Sequence, residues 1–161
     1  GLAAEQGLAL AQFKFGVMYK LGEGVRQSND EALRWWRRAA DNDYGEAQLI
    51  LGMMYVKGDG VRRDYDEAVK WLRRAAQQGD ATGQIALGAR YLQGQGVRKD
   101  PVQAYKWFSI AISHLPEQED ENRVLAIRDR ELAGGRLSPQ EITKADVMAK
   151  ECLAQKYKDC E

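Results

Sequence analysis

The chain is poor in proline, cysteine and histidine. Among 161 residues there are three prolines, two cysteines and one histidine, and the 24 Lys and Arg equal the 24 Asp and Glu. Each scarcity excludes something. Few prolines and no low-complexity tract exclude a disordered chain, because 44% hydrophobic content is enough to build a core. Balanced charge leaves no basic excess to neutralise phosphates, so nucleic acid is set aside as a partner. No apolar run approaches the roughly 20 residues of a membrane-spanning helix. His114 with two distant cysteines, Cys152 and Cys160, cannot supply a zinc set, so neither metal nor cofactor is expected. A chain of this length carries one domain, not the lobes of a multidomain enzyme.

What is present is self-similarity. Gly16, Gly52 and Gly88 recur every 36 residues, as do Tyr19, Tyr55 and Tyr91. A Gly-x-Gly-Val motif follows at the same period, with its last residue at Val25, Val61 and Val97. Ala32, Ala68 and Ala104 come next, then Trp35, Trp71 and Trp107, then Ala39, Ala75 and Ala111. Ala3 to Gly7 aligns with Ala75 to Gly79, so the chain opens in the tail of a preceding unit, and a secretory leader is expected upstream of it. Each unit reads as two helices about a glycine turn, which predicts helices over 9–21 and 29–41, 45–57 and 65–77, 81–93 and 101–113. A phosphate loop is set aside, because this Gly-x-Gly follows a helix, lacks a third glycine and recurs three times.

Gln12, Phe15, Gly16 and Tyr19 share one face of the first helix, and Gly16 is read as admitting a close neighbour. Ser28 with Glu31, and Asp64 with Glu67, have capping-box spacing, while Asp100-Pro101 pairs an N-cap with a first-turn proline. The stripe of Ala32, Trp35 and Ala39 is expected to face the core, with Trp71 and Trp107 as counterparts. Arg34, Arg37, Arg38, Lys70, Arg73 and Arg74 lie off that stripe and read as a solvated face.

These residues together, Ala-Gln-x-x-(Leu/Phe)-Gly-x-x-Tyr-x-x-Gly-x-Gly-Val followed by a capped helix with Ala-x-x-Trp, resemble the Sel1-like repeat, a relative of the tetratricopeptide repeat. The resemblance spans three units, 8–44, 45–80 and 81–113, with 1–7 the tail of a preceding repeat. It implies an all-α, right-handed superhelical solenoid of helix-turn-helix repeats, used as a non-enzymatic adaptor or scaffold in bacterial envelopes. Some cysteine-rich members carry a β-lactamase or penicillin-binder label, which gives a cell-wall or β-lactam hydrolase as the alternative. No Ser-x-x-Lys occurs to serve it, and no nucleophile elbow accompanies His114.

From 114 to 161 the period lapses into a two-helix cap. An acidic stretch from Glu117 to Glu121 opens one helix, which stops at Gly134-Gly135, and Ser138-Pro139-Gln140-Glu141 opens a second running to about Tyr157. Cys152 and Cys160 either close a disulfide through a folded-back tail, which places the protein in a periplasm or outside the cell, or remain a buried apolar residue and a free thiol. The bridge is the expectation adopted. Function is then expected on a surface that takes a protein or peptide. Stepping 100° per residue puts Leu10, Phe13 and Val17 on the far side of the first helix, with Glu46, Leu49 and Met53, and Thr82, Ile85 and Ala89, as equivalents. They either wedge neighbouring helices together or form a groove for the partner.

Overall fold

The computed structural model describes the backbone of residues 2–6 and, with side chains, residues 7–116, 121–157 and 160. The described residues form eight α-helices and no strand: α1 (Leu2–Leu21), α2 (Asn29–Asp41), α3 (Gly45–Lys57), α4 (Tyr65–Gln77), α5 (Ala81–Gln93), α6 (Pro101–His114), α7 (Glu121–Gly134) and α8 (Pro139–Ala154). They fall into two compact units, Gly1–Arg74 and Ala75–Glu161. Helices α2 to α6 begin and end within one residue of the limits the period predicts. Helix α1 differs: it starts at Leu2 and passes through Gly7 unbroken. Its Ala, Glu, Gln and Leu favour helix enough to absorb the roughly 1 kcal/mol that one interior glycine costs. Of the acidic stretch expected to open the cap, 117–120 lie outside the described residues, and α7 begins at Glu121.

In the first unit α1 packs on α2 and α2 on α3, and in the second α5 packs on α6, which also meets α7 and α8. Glycine decides how near the paired helices come. A Cβ on Gly16 would lie 2.4 Å from the Trp36 indole, one on Gly52 2.6 Å from Leu72 Cδ2, and one on Gly88 2.9 Å from Phe108 Cε1. The residue seated on the glycine is therefore Trp36, Leu72 or Phe108, one position beyond the repeated tryptophan. This corrects the expected core stripe: Trp107 is fully buried, but Trp35 and Trp71 are only half-buried. One residue along a helix is a 100° rotation, and the glycine notch selects the neighbour.

Phe15, expected on the packed face, is 44% exposed, although its counterparts Leu51 and Leu87 are fully buried. Leu51 is covered by α2 within a core of Ala32, Trp36, Ala39, Ala40, Ala47 and Met54. No described helix precedes α1 to cover Phe15 in the same way, and its ring rests on Trp35 at 5.1 Å. The Ala-Gln pair also gains a purpose. Buried Gln48 donates from Nε2 to the Ala40 carbonyl at 3.0 Å, and Gln84 to the Ala76 carbonyl at 3.2 Å, each satisfying a carbonyl in the last turn of the preceding helix.

The Gly-x-Gly turns terminate the first helices. Gly58 and Gly94 are left-handed C-caps with φ of 76° and 71°, a conformation glycine adopts without steric cost. The Tyr19, Tyr55 and Tyr91 carbonyls then accept from the backbone N–H of Ser28, Asp64 and Asp100 at 2.9, 3.0 and 2.9 Å, which anchors the start of each second helix. Those three residues cap as expected, but at Ser28 and Asp64 only half of the box forms. Glu31 and Glu67 turn outward to Arg34 at 2.6 Å and Lys70 at 2.5 Å instead of reaching back. Among the described residues both arms close at Ser138 and Glu141.

Candidate functional site

The far-side residues of the first helices divide between the two units. In the first, Leu10 and Glu46 are exposed and Phe13, Val17, Leu49 and Met53 are half-buried; in the second, Thr82 is exposed and Ile85 and Ala89 are half-buried. Phe13 and Val17 pack against the core formed by α2 and α3. Leu10, Leu49 and Met53 keep apolar surface open to solvent.

Tyr44, which the sequence reading passed over, links two members of this surface. Its ring lies 4.9 Å from Phe13 in a tilted pair, and its hydroxyl donates to Glu46 Oε2 at 3.1 Å. Burial, then the bond to Glu46 and the charge of that carboxylate, push the Tyr44 phenol above its ordinary range. The next unit carries Asp80 at the equivalent place, so repetition offers no cue to Tyr44. Asp43 before it sits at φ 58°, as Gly79 does at 85° before Asp80, so this backbone turn belongs to the repeat and does not single out Tyr44.

The second helices carry a different chemistry. Arg38 lies over the Trp35 ring at 4.8 Å and Arg74 over the Trp71 ring at 5.1 Å. Arg74 also pairs with Asp43 at 2.8 Å, and Arg37 donates to the Tyr55 hydroxyl. The bond that Lys70 donates to the Glu67 carboxylate raises the lysine pKa. Arg34, Lys70 and Arg74 are thus each paired with a carboxylate in solvent, where such pairs contribute little. Trp71, Arg37 and Tyr55 nevertheless line an open cavity of about 920 Å³, together with Arg62, Arg63 and Glu67 among others. The expectation of a buried tryptophan stripe concealed this side of the first unit.

His114 lies within reach of a serine, and the geometry decides what the pair can do. His114 Nδ1 faces the Ile110 carbonyl at 2.8 Å, an acceptor, so Nδ1 carries the proton and Nε2 accepts from the Tyr157 hydroxyl. Ser113 Oγ is 3.2 Å from Nδ1 but donates to the same carbonyl at 2.6 Å. An imidazole protonated on the near nitrogen cannot take the serine proton, so the pair is not set as base and nucleophile. Among the described residues no cluster of three or more His, Cys, Asp or Glu is placed to hold a metal ion. No described helix is long and apolar enough to cross a membrane.

Cys152 and Cys160 are joined, with Cα atoms 5.0 Å apart. Lys156 and Tyr157, at φ of 52° and 66°, reverse the chain after α8, so that helix ends at Ala154 instead of near Tyr157. The Cys160 carbonyl accepts from the ammonium of Lys106, which is fully buried and lies 4.6 Å from the centre of the Trp107 ring.

The Sel1 repeat matches residues 9–44, 45–80 and 81–114. Among solved structures, a Sel1 repeat protein from Oxalobacter formigenes is 36% identical over 81% of this chain and 94% of its own, with a TM-score of 0.68. A protective antigen present in uropathogenic Escherichia coli strains, displaying an SLR fold, is 29% identical over 98% of this chain with a TM-score of 0.78, and the present chain spans only 32% of its length. Cysteine rich protein B of Helicobacter pylori shares the fold at 22% identity and a TM-score of 0.55, over 83% of this chain and 96% of its own. No curated protein matches in sequence.

Proposed function

The chain belongs to the Sel1 repeat family, and from that premise we propose that it is a non-enzymatic scaffold that holds a partner protein or peptide on its first-helix faces, outside the cytoplasm. Proteins with this repeat generally mediate protein–protein interaction. The observation that carries the reading is the surface of the first unit. Leu10, Leu49 and Met53 keep apolar area in solvent beside the Phe13–Tyr44–Glu46 link, an apolar patch rimmed by a charge, which is the composition of a transient interface. Met53 suits the role, because an unbranched thioether repacks against different partners. Ile85 and Ala89 extend the same chemistry to the second unit. The location outside the cytoplasm is supported by the Cys152–Cys160 bond, since reducing compartments keep thiols free.

The test is crosslinking in the native cell, with partners identified by mass spectrometry, for the wild type and for Leu49→Arg with Met53→Arg. A partner captured by the wild type and lost from the variant, with the thermal melt retained, supports the surface. Equal capture by both overturns it.

A further inference from the structure

We propose that a cavity in the second unit binds the carboxylates of an acidic peptide through Arg98, Lys99 and Arg136. The inference rests on the reading of the protein as a scaffold and adds the chemistry of what it holds. The cavity measures about 820 Å³ and is open to solvent, within the size range of small-ligand sites. Two segments place cations around it: the turn after α5, through Arg98 and Lys99, and the turn between α7 and α8, through Arg136. None of the three side chains makes a hydrogen bond or ion pair among the described residues; Arg136 bonds only through its backbone N–H, to the Ala133 carbonyl at 3.1 Å.

The acids that line the same cavity are already engaged. Asp100 Oδ1 accepts from the backbone N–H of Val102 and of Gln103 at 3.0 and 3.1 Å, as the cap of α6. Glu141 Oε2 accepts from the N–H and the hydroxyl of Ser138, both at 2.8 Å, bonds that close the cap of α8. Three uncommitted cations therefore face two carboxylates turned toward helix caps.

The first unit supplies an internal comparison, because the equivalent turn there lines a cavity as well. That cavity carries Glu67 where this one has Gln103, and it adds Asp41, so three acids oppose Arg37, Arg62 and Arg63. Only the second cavity holds an excess of positive charge. Arginine grips a carboxylate through two parallel N–H donors, and two arginines give it two such forks. Val97, Val102 and Leu137 place apolar surface beside the cations, which a peptide side chain covers and a bare inorganic anion does not. A segment that alternates acidic and apolar residues matches both.

The experiment uses the full chain and a fluorescein-labelled hexapeptide of alternating glutamate and leucine, read by anisotropy, with a glutamine-for-glutamate peptide as control. A charge-assisted hydrogen bond lost per arginine corresponds to about tenfold in affinity or more, so Arg98→Ala with Arg136→Ala should weaken binding by about a hundredfold. Raising the salt should weaken the wild type as well. Arg128→Ala, which removes an exposed partner of Asp129 elsewhere in the unit, should change nothing. Equal binding of the glutamine peptide, unchanged affinity of the double variant with its melt intact, or displacement by inorganic phosphate at concentrations below those of the free peptide would each overturn the proposal. Leu49→Arg with Met53→Arg should bind the probe normally, so partner capture lost there with the probe still bound separates a failure of this site from a failure of the scaffold reading.

Discussion

Gly52 and Leu72 show how one missing methyl group sets the spacing of a helix pair. Alanine at 52 would put Cβ within 2.6 Å of Leu72 Cδ2 and 2.7 Å of Cγ, too close for packing without displacing α4. Gly52→Ala should therefore destabilise by about 1 to 3 kcal/mol, the range for overpacking, measured by urea unfolding. The neighbouring pair 71 and 72 gives a sharper comparison. Leu72→Ala empties the notch and should cost about 2 to 5 kcal/mol. Trp71→Ala removes a half-buried ring whose other side faces the first-unit cavity, and should cost about 1 kcal/mol, roughly half the effect of full burial. Equal losses at 71 and 72 would show that both are core and contradict the geometry. The glycine was legible in the sequence because it recurs in register and has no other use in a helix. Its partner was not, since Trp35 and Trp36 are both large aromatics and only the placement of α1 distinguishes them.

Helix ends are where local chemistry speaks most directly. Ser138 and Glu141 satisfy each other's backbone donors at the start of α8, and the bonds from the Ser138 N–H and hydroxyl hold the Glu141 carboxyl below its ordinary range. A carboxylate with a depressed folded-state pKa adds stability that is fully present above the unfolded pKa and is lost as the pH falls through the folded one. The melting temperature of Glu141→Gln should lie below wild type at neutral pH, and the gap should close as the pH drops below about 4. A gap independent of pH would mean that the carboxylate charge contributes nothing. At α2 the same spacing behaves differently. Glu31 bonds Arg34 rather than the backbone of Ser28, so Glu31→Gln should cost only the few tenths of a kcal/mol of an exposed i,i+3 pair, while Ser28→Ala loses the cap at about 1 kcal/mol. Spacing announces a capping box but does not decide its second arm: a cation stands three residues after the glutamate at Arg34, Lys70 and Lys144 alike, and only Glu141 reaches back.

At the scale of the molecule, the folded-back tail closes the second unit. The Cys152–Cys160 bond spans a separation of 8 residues, a loop whose closure contributes about 2 to 3 kcal/mol by the chain-entropy estimate. Three further contacts fasten it: the Tyr157 ring against Gly79, where an added Cβ would stand 2.7 Å from Cε2, the Tyr157 hydroxyl on His114, and the Cys160 carbonyl on buried Lys106. Cys152→Ser, or reduction and alkylation of the native protein, should lower the melting temperature. Hydrogen exchange should quicken in 153–157 and at the C-terminal turn of α6. Exchange unchanged after reduction would mean that these contacts hold the tail without the bond. Intact mass before and after reduction checks the bond itself in protein purified from cells.

The sequence by itself determined what depends on neighbours along the chain: the 36-residue period, an all-α fold, the limits of α2 to α6, the caps, the left-handed glycines and membership of a repeat family. These follow from periodicity and backbone sterics, which act over a few residues and are written again in every unit. Tertiary structure alone decided that Trp36, Leu72 and Phe108 sit in the glycine notches and that Phe15 lies bare while Leu51 is covered. It also decided that Tyr44 joins Phe13 to Glu46, and that a lysine of α6 is buried under the tail. Each of those outcomes depends on which side chain a second helix brings within a few ångströms, and that distance is set by packing between segments remote in sequence.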